Sequence, residues 1–145
     1  MRFQPTLLTR FAVAQTAGLL IGICAFVLVP AVMPEGDPMM RWGILLWYPT
    51  LAAIIALLGE SLCRSEEGLL APWWLVGSAI GAWMTLVLTL FAHQSMGAFL
   101  QQLFGPDSAF ASAYWFVLEG ALAGAALGYV AERGSAHLVD EASNG

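Results

Sequence analysis

Residues 114–133 read YWFVLEGALAGAALGYVAER. The stretch is apolar or small almost throughout, yet Glu119 stands near its middle. A run of this length and composition suits a helix crossing a bilayer. A carboxylate at that depth costs on the order of 2.5–3.5 kcal/mol even on the lenient insertion scale, so its presence asks for a partner or a use. The apolar length sets the expected fold, and the carboxylate sets the functional question.

The rest of the chain matches that setting. Its 145 residues are 59% hydrophobic and 10% charged, with a mean hydropathy of +0.76. Soluble domains carry about 25% charged residues. So few polar groups cannot coat a globular core, whereas lipid accepts apolar side chains on the outside. The net charge is −5, and all five basic residues are arginines. With no basic patch, nucleic acid is not expected as a partner.

Four long apolar segments follow one another, at about 11–32, 42–62, 69–92 and 109–131. Each approximates the ~20 residues that span a hydrocarbon core as a helix. The expected fold class is an all-α integral membrane protein, with residues 1–133 forming a compact bundle of four transmembrane helices. The first segment is too long for a signal-peptide core and no A-x-A-like site follows it, so it reads as retained. Arg2, Arg10, Arg64 and Arg133 flank one side of the spans and only Arg41 the other. This places both termini in the cytoplasm, in a membrane of the bacterial inner-membrane type. Trp42, Trp47, Tyr48, Tyr114 and Trp115 read as an outer aromatic belt, and Trp73, Trp74 and Tyr129 as an inner one. Trp83 lies too deep for either belt and is expected inside the bundle.

The connections carry their own signals. Residues 33–41, MPEGDPMMR, are turn-like. Glu60, Glu66 and Glu67 read as a solvated acidic loop, with a weak divalent-cation site as the rival. Met96, Phe99, Leu100, Leu103 and Phe104 fall on one apolar stripe. This predicts a short amphipathic helix over about 95–104, packed on the rim or serving as a docking surface. Gly105 and Pro106 end it, and Asp107 or Ser108 can cap the fourth helix. Residues 134–145 are small, polar and acidic and are expected to be a disordered tail.

Small residues recur at spacing four: Gly18 and Gly22, Gly77 and Gly81, and Gly120, Gly124 and Gly128. Such stripes let helix backbones approach closely, which is the main source of helix attraction in lipid. They serve either packing within the chain or an interface with other chains, in a homo-oligomer or with a larger membrane-protein partner; lipid surrounds the rest.

No arginine sits at the depth of Glu119, and Arg41 would have to bury its own charge to reach it. The acid is then neutral and hydrogen-bonded, or faces a water-filled cavity, or meets a cation or a partner's basic group. Thr50, Thr85 and Ser112 are the candidate companions, by depth or by helix face. Pro49 is a candidate kink that frees the carbonyl of Leu45. Glu119, Thr50, Thr85 and Ser112 thus form a candidate ion or proton site, with a structural buried acid as the bland alternative.

Enzyme chemistry finds no foothold. The chain lacks GxSxG, HExxH, P-loop and dinucleotide-binding patterns, so neither catalytic residues nor a cofactor is expected. His93 stands alone and His137 lies in the tail, so no metal site is expected either. Cys24 and Cys63 lie about 20 Å apart in depth and cannot pair. Two roles remain: an oligomeric channel or transporter for ions, protons or small solutes centred on Glu119, or a non-catalytic accessory subunit of a larger membrane complex.

Overall fold

The computed structural model describes residues 7–34, 36–63 and 72–144, with side chains described outside 60–63 and 134–144. These residues form α1 (Leu7–Val32), α2 (Pro38–Cys63), α3 (Trp73–Phe104), a 3-10 turn (Ala109–Ala111) and α4 (Trp115–Asn144). The chain is all-helical. α1, residues 38–59 of α2, and α3 are each long and apolar enough to cross a membrane, with mean hydropathies of 2.2, 1.8 and 1.9. The acidic loop around Glu66 and Glu67 lies outside the described residues.

Local chemistry explains the helix ends. α2 starts at Pro38, four residues before the expected Trp42. The Asp37 carboxylate accepts a hydrogen bond from the Met39 N–H at 2.9 Å, and proline at the first helical position gives up an N–H that would have no partner anyway. α1 carries Pro30 in its final turn and ends at Val32. α3 does not stop at Ala92. Its backbone leaves helical geometry there (φ −108°, ψ 22°) and then resumes as far as Phe104. The expected separate amphipathic helix is therefore the outer section of α3. One turn before the kink, the Thr89 hydroxyl donates to the Thr85 carbonyl at 2.8 Å, a back-bond that bends helices. Gly105 ends α3 in a positive-φ conformation (87°), its N–H on the Gln101 carbonyl, a geometry that glycine adopts without penalty.

α4 differs most from expectation. Ser108 caps the 3-10 turn, accepting from the Phe110 N–H at 3.2 Å, and does not cap α4. The Trp115 indole donates back to the Ala109 carbonyl at 3.0 Å. α4 itself begins only at Trp115 and stays helical through Asn144, so most of the expected disordered tail continues the helix. With Glu119 inside and Glu132 and Arg133 following, α4 is long enough but not apolar enough to count as a membrane span. Of the four expected spans, three therefore meet that measure and α4 does not.

The helices pack as two pairs, α1 on α2 and α3 on α4, joined through α1–α4 and α2–α3 contacts. Glycines bring the members of each pair together. A Cβ at Gly18 would lie 2.7 Å from the Tyr48 carbonyl oxygen, and one at Gly22 would lie 2.6 Å from that of Leu45. Pro49 removes the helical donor for the Leu45 carbonyl, and that oxygen faces Gly22. Across the other pair, Gly77 lies against Gly124 and Gly81 against Gly120, backbone to backbone, while Gly128 lies over Trp73.

The two pairs meet in one half of the bundle. Ala14, Leu51, Ala52, Ile55, Leu127 and Ala131 form a buried core there. At the same end the buried Arg10 of α1 is paired with Glu132 of α4 at 2.8 Å. Trp83, expected inside the bundle, is 67% exposed on the outer face of α3. The face of α3 that turns inward carries the small residues Gly77, Gly81, Thr85 and Thr89 instead, and an indole cannot fit where two backbones touch.

Candidate functional site

In the half of the bundle away from that core the pairs separate and leave a cavity of about 650 Å³. All four helices contribute to its wall, including Val29 from α1, Ile44 from α2, and Leu88 and Met96 from α3. The lining is overwhelmingly apolar. Its side-chain oxygens belong to Tyr48, Thr85, Ser95 and Glu119.

Tyr48 and Glu119 join the two helix pairs at the base of this cavity. The Tyr48 hydroxyl of α2 donates to Glu119 Oε1 of α4 at 2.7 Å. Glu119 is itself exposed, facing the open cavity. Its depth follows from its neighbour: Gly120 lies against Thr85, about 18 Å along α3 from Trp73 at 1.5 Å per residue. Were the crossing of α3 to start at Trp73, that point would lie near the middle of a ~30 Å hydrocarbon layer. Arg41 does not reach the acid; its guanidinium lies over the Phe26 ring, 4.5 Å from the centroid.

Thr85 is 2% exposed, and its hydroxyl has no hydrogen-bond partner. A mid-helix threonine ordinarily back-bonds to the carbonyl four residues earlier, as Thr89 does. Here the Gly81 carbonyl and the Thr85 hydroxyl both face the bare side of Gly120, where a Cβ would run into them. A buried hydroxyl left this way costs about 1–3 kcal/mol.

The other sequence candidates lie elsewhere. Thr50 is exposed and its hydroxyl donates to the Leu46 carbonyl of its own helix at 2.8 Å. Ser112 is exposed in the turn before α4 and does not line the cavity. Of the four expected residues the structure brings together Glu119 and Thr85. No group of three or more His, Cys, Asp or Glu side chains suited to a metal occurs among the described residues.

Tyr48 was missed because helix 2 was expected to start at Trp42, which put Tyr48 in the outer aromatic belt. From Pro38 it lies about 15 Å into the helix at 1.5 Å per residue. Asp37-Pro38 was the available signal, an N-cap followed by proline at the first helical position. Trp47 moves with it from the belt to the cavity wall. Phe99 and Phe116, whose ring centroids lie 6.1 Å apart, close the wall between α3 and α4.

Comparison with known protein families, with curated proteins and with solved structures finds no match to this chain.

Proposed function

We propose that this protein is a small membrane carrier whose solute lodges in the cavity above Glu119. One observation carries the reading: a Tyr48–Glu119 hydrogen bond forms the base of an otherwise apolar cavity. Apolar walls with a few convergent polar groups are the usual makeup of a small-molecule site, and 650 Å³ lies within the range for drug-sized ligands. An intramembrane acid that lines a cavity, with no arginine or lysine beside it, fits a site that meets its partner only in the loaded state.

A carrier suits the packing better than an open pore. The half of the bundle below Tyr48 and Glu119 is filled by the Leu51, Ile55 and Leu127 core and tied by Arg10–Glu132. A solute entering from the cavity side therefore stops at the base, and passage requires the helix pairs to rock about it. In this reading α4 crosses the bilayer along α3, shielded by the glycine contacts, with both termini cytoplasmic in a bacterial-type inner membrane. Exposed Trp83, Leu90 and Phe91 on α3 then face lipid or a second copy.

Ligand-induced stabilisation tests the proposal. A molecule that binds only the folded state raises its melting temperature. Purified protein in lipid nanodiscs is melted with cationic, neutral and anionic aromatic probes. At least one probe is expected to raise the midpoint of wild type, and Gly43→Phe is expected to lose that shift. Gly43 lines the cavity, and a Cβ there meets nothing within 4 Å, so a side chain can be added at this position without a clash at its base, and a ring placed on it takes up cavity space. If no probe of any charge stabilises wild type, the carrier reading is wrong. Copurification of a larger membrane protein would then favour the accessory role.

A further inference from the structure

We infer that the cavity takes a monovalent organic cation with an apolar, preferably aromatic, body. The inference rests on the carrier reading and names the chemical class of its solute.

Charge comes first. Among the described residues, Glu119 is the one carboxylate on the cavity wall, and no arginine, lysine or histidine lines it. Tyr48 donates to Oε1, leaving Oε2 with no hydrogen-bond partner among the described residues. An anionic ligand would meet this carboxylate in an apolar surround with nothing to offset the repulsion. A neutral ligand would leave it uncompensated. One positive charge satisfies it.

The nature of the cation follows from the walls. Calcium and magnesium require about six or more oxygen ligands in close array. This cavity spreads the side-chain oxygens of four residues through an apolar lining that would stay in contact with a bare or hydrated ion. A cation whose charge is carried on or beside hydrocarbon leaves no such mismatch. Trp47, Tyr48, Phe99 and Phe116 all line the space, and aromatic faces attract organic cations, most strongly where water is excluded. Met96 adds a soft, adaptable surface.

Two probes of matched size and opposite charge separate the terms. Tetraphenylphosphonium and tetraphenylborate are titrated into nanodisc-embedded protein by calorimetry, with empty nanodiscs as the partition control. Saturable binding of tetraphenylphosphonium is expected, with none for tetraphenylborate. Glu119→Gln keeps the size and hydrogen-bonding capacity of the side chain and should weaken tetraphenylphosphonium by about ten- to a hundredfold, through loss of the ion–ion attraction in an apolar surround. Gly43→Phe should weaken it without touching the charge. Equal binding of both ions, or full affinity in Glu119→Gln, overturns the cation assignment. In that case saturable binding of tetraphenylborate or of neutral triphenylphosphine oxide, lost in Gly43→Phe, would leave the carrier reading standing. Absence of binding by all three probes overturns both.

Discussion

The Tyr48 hydroxyl and the Glu119 carboxylate meet at 2.7 Å where the two helix pairs diverge. On one side of this contact lies the core built around Leu51, Ala52 and Leu127; on the other lies the cavity. The hydrogen bond is thus the last tie between α2 and α4 before the bundle opens, and both its members line the solute space. A residue pair in this position couples the solute to the relative placement of the helix pairs, because a cation drawn to Glu119 acts on the same carboxylate that Tyr48 holds.

That coupling is measurable in a double-mutant cycle. Tyr48→Phe and Glu119→Leu should each change unfolding free energy, and the double variant should fall short of their sum by about 1 kcal/mol, a typical hydrogen-bond contribution. Strict additivity would show that the two side chains do not act on each other in the membrane-embedded protein.

The glycine contacts predict a steep position dependence. A side chain at Gly124 would run into the Gly77 backbone, so Gly124→Leu should lower stability by about 1–3 kcal/mol or prevent folding, as overpacking does. Gly97 lies within α3 with nothing within 4 Å of a Cβ, so Gly97→Ala should raise stability by about 1 kcal/mol through helix propensity. Thermal melts of the two variants give opposite signs. Equal and small shifts would place both glycines on lipid.

Thr85→Val tests the unpartnered hydroxyl. It removes a buried hydroxyl without a partner, so the unliganded protein should melt higher, by the equivalent of about 1 kcal/mol. The stabilisation produced by tetraphenylphosphonium, which has no hydrogen-bond donor, should be unchanged in the same variant. A lower melting point without ligand would mean that the hydroxyl is satisfied in the protein itself.

How far the sequence could be read depended on which force fixed each element. The helical class and the apolar spans follow from long runs with no charges, a signal no local contact can reverse. The facing of Gly77 and Gly81 on α3 toward Gly120 and Gly124 on α4 needed a partner helix to decide it; spacing alone left an outward face open. Glu119 stood out because intramembrane acids are rare, and Thr85 because it shared that depth. Thr50 shared the depth too, but depth does not specify azimuth, and Thr50 turns away from the cavity. Tyr48 was hidden by a helix start misplaced by four residues, about 6 Å at 1.5 Å per residue. The extension of α3 beyond Ala92 and of α4 beyond Arg133 came from polar residues that are compatible with helix when no turn chemistry interrupts them.

The path of α4 has a direct test. If α4 crosses the bilayer with the other three helices, the termini lie on one side, the cytoplasmic side by the arginine distribution. Reporter fusions at each end should both register as cytoplasmic. Opposite locations would mean that α4 does not cross, leaving Glu119 and the cavity at a membrane face.

The account stands most directly on whether the solute occupies the space above Glu119. Leu88 lines that space. Leu88→Cys in a background with Cys24 and Cys63 changed to serine gives one thiol on the cavity wall. Its rate of alkylation by N-ethylmaleimide in nanodiscs is measured with and without tetraphenylphosphonium. Protection by the cation, absent with tetraphenylborate and abolished by Glu119→Gln, is the predicted result; an alkylation rate unchanged by saturating cation would contradict the account.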